Sequence, residues 1–219
     1  AFLTYLAAGS GLALLPVPAH AQFGSKGLNL SSILGRATDS ALDKLAKPGA
    51  FYNDQDVRIG LPIVGKSSGG LFGSILNGAS KLGVLDDVTR QINDAAGIAA
   101  GEAKPIFRDA IDDLSFSDAP GILKSNDGGT QYLRSSSNDS LHAKLEPLVD
   151  QALDGLGVYK TFDGLAKKHS FVRRAGLDRE SINRSVTDQG LDGIFSYVGQ
   201  EETTFRKNPI NSLGKALGL

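Results

Sequence analysis

The sequence predicts an all-α protein, a single domain of about six to eight helices with an extended connector near residues 50–66. Three observations predict it. Apolar residues recur at steps of three and four through most of the chain, the period of one helix face. Helix-ending signals, Pro48-Gly49 and Asn208-Pro209, close two of the longest stripes. Only one run alternates like a strand, at Val57, Ile59 and Leu61, and no second run is there to pair with it.

The first helix is expected from Leu30, with Ile33, Leu34, Ala37, Ala41, Leu42 and Leu45 on one face. Pro62 and the isolation of the alternating run make residues 50–66 a connector packed on helices rather than a strand. Gly69 to Leu82 is a weaker helix, because each interior glycine costs about 1 kcal/mol relative to alanine. A longer helix runs from Asp86 to Leu114, kinked at Pro105. A short one follows from Ala119 to Lys124, and Asn126-Asp127-Gly128-Gly129 reads as a turn. Thr130 to Ser137 and Asp139 to Leu156 are read as two helices, the second bent at Pro147. Tyr159 to Lys168 is short and amphipathic. The last long helix is Arg179 to Arg206, with Asp178 as its N-cap. Residues 210–219 form an apolar tail, expected to dock on the body.

The start of the chain reads differently. Residues 1–21 carry no charge, break at Pro16 and Pro18, and end in Ala19-His20-Ala21. That is the pattern of an export signal cleaved after Ala21. The charged region that precedes such a stretch is missing, so the twin-arginine and Sec routes both remain open. Residues 22–29 are expected as a flexible leader and residues 30–219 as the helical domain. The expected location is the periplasm, with no stable membrane span in the mature protein.

Composition excludes several classes. Net charge is −1, so no strong field favours nucleic acid. There is no Cys, which removes disulfides, thiol catalysis and zinc–thiolate sites. His142 and His169 stand apart in no metal-binding spacing, and the Asp86-Asp87 and Asp112-Asp113 pairs lack the spacing of a calcium loop. No G-x-S-x-G elbow is present. Gly65-Lys66-Ser67-Ser68-Gly69-Gly70 fails the order of a phosphate-binding loop. No metal, cofactor or catalytic residue is therefore expected.

Taken together, several motifs resemble a bacterial exported family known as domain of unknown function 4197. They are Val57-Arg58-Ile59-Gly60-Leu61-Pro62 and Asn93-Asp94-Ala95-Ala96. Phe107, Ala110 and Ile111 follow, then Ser117-Asp118-Ala119, Ile122-Leu123 and Thr130-Gln131-Tyr132-Leu133. The set closes with Gly190-Leu191-Asp192-Gly193-Ile194-Phe195, Glu201-Glu202 and Phe205-Arg206-Lys207-Asn208-Pro209. Gly128-Gly129 depart from it, standing where the family more often has alanine. So do Leu133, often phenylalanine there, and the tail, which lacks the usual basic-apolar ending. The resemblance implies an exported, mostly helical protein and supplies no activity.

Within these motifs lie the charged residues that apolar neighbours surround: Arg58, Asp118, Tyr132, Arg134, Glu201, Glu202 and Arg206. They are expected as one polar cluster that either locks helix crossings or lines a ligand pocket. Glu202 and Arg206 have the favourable i,i+4 order, worth roughly 0–1 kcal/mol at a surface. The functional expectation is a binding or scaffolding protein of the cell envelope, with an unidentified envelope protein or a small apolar ligand as partner. Its alternatives are a small-molecule or lipid carrier with an interhelical cavity, and a hydrolase using Asp118, Glu201 and Glu202.

Overall fold

A computed structural model describes residues 20–61, 84–115, 122, 124–168 and 177–207. Seven helices run through the described residues, with no strand among them. They are α1 (His20–Leu45), α2 (Ala50–Asn53), α3 (Val84–Glu102), α4 (Lys104–Asp112), α5 (Gly128–Gly155), α6 (Val158–Lys168) and α7 (Arg179–Lys207). Residues 1–19 of the signal expected over 1–21, the helix at 69–82, most of the segment 119–124, Asp118 and the residues from 208, with the expected tail, lie outside the described residues.

The all-α reading holds, and the boundaries move for physical reasons. Helix α1 starts at His20 and takes in the stretch expected as a leader. No proline lies between Pro18 and Pro48 to stop it. The expected single helix over Asp86 to Leu114 is two, because the chain leaves the helical ladder at Ala103. Pro105 then sits in the first turn of α4, where its missing N–H needs no partner. The two helices expected over 130–156 are one, α5, which passes through Pro147 without a break. The connector opens with one helical turn, α2, after Gly49 at φ 73°. Asp178 caps α7 as expected: its carboxylate accepts from the Ser181 N–H at 2.8 Å, and its own N–H donates to the Ser181 hydroxyl at 3.1 Å.

Helix α7 is the axis of the fold. It packs along α1 on one side and antiparallel to α5 on the other, with α3 behind. The core joins Leu34, Leu42 and Leu45 of α1 to Ile92 and Ala99 of α3, Leu133 and Leu141 of α5, and Val186, Ile194 and Val198 of α7. Phe107 of α4 meets Phe195 of α7 edge to face, with ring centres 6.1 Å apart. Gly193 lets the connector approach: a Cβ there would lie 3.0 Å from Phe51 Cε1 and 3.2 Å from Val57 Cβ.

The connector finds in side chains the partners that a strand finds in a sheet. Ile59 donates its N–H to Asn93 Oδ1 at 2.8 Å, and its carbonyl accepts from Asn93 Nδ2 at 2.9 Å. One residue on, Gly60 does the same with Gln189, at 2.9 and 3.3 Å. Successive residues of an extended chain point their backbone groups to opposite sides. One amide from α3 and one from α7 therefore grip both edges of the connector. Val57 and Ile59 are buried between these helices.

Candidate functional site

The expected polar cluster does not converge. Glu201 and Glu202, adjacent on α7, serve different neighbours. Glu201 turns to α1, accepting from the Ser40 hydroxyl at 2.7 Å and pairing with Lys44. Glu202 turns to α5. Arg134 pairs with Asp192 of α7 and stands 5.3 Å over the Phe195 ring. Tyr132 donates its hydroxyl to the Ser115 carbonyl at 3.1 Å. Arg58 is on the connector, over the Tyr52 ring at 4.3 Å, and Arg90 approaches the same ring at 4.2 Å. Among the described members of the cluster, only Glu202 and Arg206 meet as the sequence reading proposed.

Their meeting corrects that reading in one respect. The pair is no surface contact: the Glu202 side chain is 0% exposed and that of Arg206 15%. The Glu202 carboxylate accepts from the backbone N–H groups of Gly129 at 2.9 Å and Thr130 at 2.7 Å. It also accepts from the Thr130 hydroxyl at 2.6 Å and from Arg206 at 2.6 Å. A helix N-terminus leaves its first N–H groups unsatisfied and carries partial positive charge. Here α7 supplies the cap that α5 lacks in its own sequence, since Asp127 makes no side-chain capping bond.

Gly128 and Gly129 explain why the expected turn is instead the start of α5. A Cβ on Gly128 would lie 2.1 Å from the Ile122 carbonyl oxygen, and one on Gly129 would lie 2.7 Å from Glu202 Oε1. Gly128 and Gly129 thus fall where the chain closes around a buried carboxylate.

Beside this junction α5 and α7 leave an open groove of about 570 Å³. Asp127, just before α5, and Thr130, Gln131 and Arg134 on it line one side. Asp192, Phe195, Ser196, Gly199, Gln200 and Thr203 line it from α7. Asp127 at its rim accepts from Ser125, and from Gln131 at 2.9 Å. These two bonds hold its carboxyl below the usual carboxylate range. Of the described members of the expected polar cluster, Arg134 alone lines the groove. Ser196, Gln200 and Thr203 were missed because their signal is tertiary: in sequence they look like any solvated helix face.

The remaining polar groups pin helices together. The Asp150 carboxylate on α5 accepts from Arg179 at 2.7 Å and from the Tyr159 hydroxyl at 2.7 Å. Arg179, then Tyr159, lower its pKa. Burial and the same carboxylate raise that of Tyr159. Tyr197 donates to Asp54 at 2.6 Å, which pushes the phenol up to about 12. His142 is half-buried, with Nε2 3.0 Å from Asp188 Oδ1 on α7. His169 lies outside the described residues. Among the described residues no group of His, Asp and Glu is placed to hold a metal ion, and no helix is long and apolar enough to cross a membrane.

Fold and site together define an all-helical domain whose charged residues mostly join one helix to the next, with one open groove beside a buried carboxylate. The chain belongs to the family described as "Protein of unknown function (DUF4197)", whose family model matches residues 25–217. No curated protein and no solved structure matches it.

Proposed function

We propose that this is an exported, periplasmic binding or scaffolding protein that engages a partner of the cell envelope through the α5–α7 groove. The observation that carries the reading is the fate of the carboxylates. Glu201 and Glu202 point away from each other, and each is consumed by donors of another helix. A hydrolase would need two such groups converging on shared space with separated pKa values. The concave surface left open is lined by amides, hydroxyls, one stacked guanidinium and two carboxylates already engaged, Asp192 by Arg134 and Asp127 by Ser125 and Gln131, which suits recognition. The uncharged opening stretch ending at Ala19-His20-Ala21 supports export, by the twin-arginine or the Sec route.

The test is native mass spectrometry of residues 22–219 purified from the periplasm, beside a Gly199→Trp variant that fills the groove. A co-purifying polypeptide lost in the variant supports the reading. A bound lipid or other small apolar mass retained in both would overturn it in favour of a carrier. Turnover of ester or glycoside substrates that fails in Glu201→Gln would overturn it in favour of a hydrolase.

A further inference from the structure

We propose that the α5–α7 groove takes an extended peptide segment of a partner protein, held by its main chain between Gln131 of α5 and Gln200 of α7. The proposal rests on reading that groove as the contact surface and adds the chemistry of what it contacts.

The structure already holds one extended segment in this way. Asn93 and Gln189 each offer an oxygen and an N–H to one connector residue, Ile59 and Gly60 respectively. Both amides are fixed beforehand by an acceptor four residues back. Asn93 Nδ2 donates to the Thr89 carbonyl at 2.7 Å, and Gln189 Nε2 to the Ser185 hydroxyl at 3.1 Å. A side chain fixed in advance loses less freedom when it binds.

The walls of the groove repeat the construction. Gln131 Nε2 donates to Asp127 at 2.9 Å and Gln200 Nε2 to the Ser196 hydroxyl at 3.4 Å, again four residues back. Ser185-x-x-x-Gln189 and Ser196-x-x-x-Gln200 are one pattern used twice on α7. The step from 189 to 200 returns to within about 20° of the same side of a helix, so the two glutamines share one edge of α7. Gln131 and Gln200 are both exposed, and among the described residues neither bonds to another helix. Each keeps an oxygen and one amide hydrogen for a partner.

The rest of the lining narrows the choice of partner. Asp192 and Asp127 are engaged, and Phe195 is 3% exposed under Arg134. With neither a free carboxylate nor an apolar floor, neutral donors and acceptors do the holding. An extended backbone presents both in regular order, and main-chain hydrogen bonds give such segments their affinity. Ser196 and Gln200 stand about 6 Å apart along α7. Backbone groups on one edge of an extended chain recur every 6.6 Å or so, roughly the same step.

The test pans the full chain against a displayed library of random short peptides, then titrates a selected synthetic peptide while the side-chain amide NMR signals of Gln131 and Gln200 are followed. The expected peptide shifts both signals. Its affinity should fall about tenfold or more with Gln200→Leu, with Gln131→Leu, and with N-methylation of at least one of its backbone amides. Both positions are exposed, so the variants should melt like wild type, and the N-methyl series needs no variant. Failure to select any peptide, binding insensitive to both substitutions, or binding insensitive to N-methylation at every position would each overturn the proposal. A polypeptide in the native spectrum that Gly199→Trp removes and both glutamine variants retain would overturn it while leaving the groove reading intact.

Discussion

Replacing Glu202 by glutamine is the sharpest perturbation of this fold, because it changes charge and leaves volume nearly unchanged. The carboxylate receives four donors: Gly129 N–H, Thr130 N–H, the Thr130 hydroxyl and Arg206. Glutamine keeps one acceptor oxygen and turns an NH2 toward the remaining donors. At least one donor loses its partner inside the protein, at roughly 1–3 kcal/mol each. Arg206 also loses its counter-charge, and breaking one side of a buried pair costs about 3–5 kcal/mol in all. For a chain of this length each kcal/mol lowers Tm by roughly 2–4 °C, so Glu202→Gln should melt about 6–20 °C below wild type. Circular dichroism melts at pH 7 measure it. Glu180→Gln is the internal control. Glu180 and Arg184 are the same i,i+4 type, but 81% and 64% exposed at 3.6 Å. That change should cost under about 0.5 kcal/mol. Combining Glu202→Gln with Arg206→Gln should cost less than the sum of the two, since the survivor of a broken pair is the expensive group. A Glu202→Gln melt within about 2 °C of wild type, on the scale used above, would refute the buried-cap account.

Other expectations follow from the same geometry. Asn93 is 1% exposed and satisfies the Ile59 N–H and carbonyl and the Thr89 carbonyl. Asn93→Leu should therefore cost about 3 kcal/mol or more, and hydrogen exchange at Ile59 should rise with it. Gly193→Ala should destabilise by about 1–3 kcal/mol through overpacking against Phe51 and Val57. Gly155→Ala, with nothing within 4 Å of the new methyl, should stabilise α5 by up to about 1 kcal/mol. Asp54, Asp127, Asp150 and Asp178 all have lowered pKa values in the folded state. Their contribution is present above the unfolded carboxylate value near 4 and is lost as pH falls below it. Tyr197 is shifted the other way, so its contribution is intact below about pH 10 and is lost as pH rises toward about 12. Tyr197→Phe should flatten that alkaline limb in a pH series of thermal melts.

The fold was legible where a single segment carries its own signal. The stripe Leu34, Ala41, Leu42 and Leu45 needs only the helical period to be found, and Asp178 needs only its place before Arg179 and three residues ahead of Ser181. Boundaries failed where distant packing decides. Ser135 to Asn138 is poor helix-forming sequence, yet α5 runs through it because flanking residues such as Leu133 and Leu141 pack into the core. Gly128-Gly129 looked like a turn because the carboxylate that makes them a helix start lies more than 70 residues away. The candidate site was legible in kind and mistaken in unity. Charged residues among apolar neighbours did mark helix junctions, but adjacency in sequence, as in Glu201-Glu202, puts side chains about 100° apart on a helix and sends them to different partners. Asn93 had a signal that was overlooked: a polar residue beside Ile92 and Ala96 on an apolar stripe implies a buried partner.

The distribution of these polar contacts follows from the core itself. The middle of α3 is Ala95, Ala96, Ala99 and Ala100, all buried. Small side chains let helices approach closely: a Cβ on Gly97 would lie only 3.2 Å from the Leu45 carbonyl oxygen. They also make shallow ridges, so interdigitation alone resists sliding weakly. A two-point amide grip on Ile59, a carboxylate seated on the first turn of α5 and a bidentate Arg179–Asp150 contact each fix a register, because moving by one residue would strand a buried or charge-assisted hydrogen bond. On this argument the polar residues serve the specificity of helix packing first. Residues free for a partner are then sought among those that pin nothing. Gln200, Ser196 and Thr203 stand on the groove side of α7, and among the described residues none of their side chains bonds to another helix.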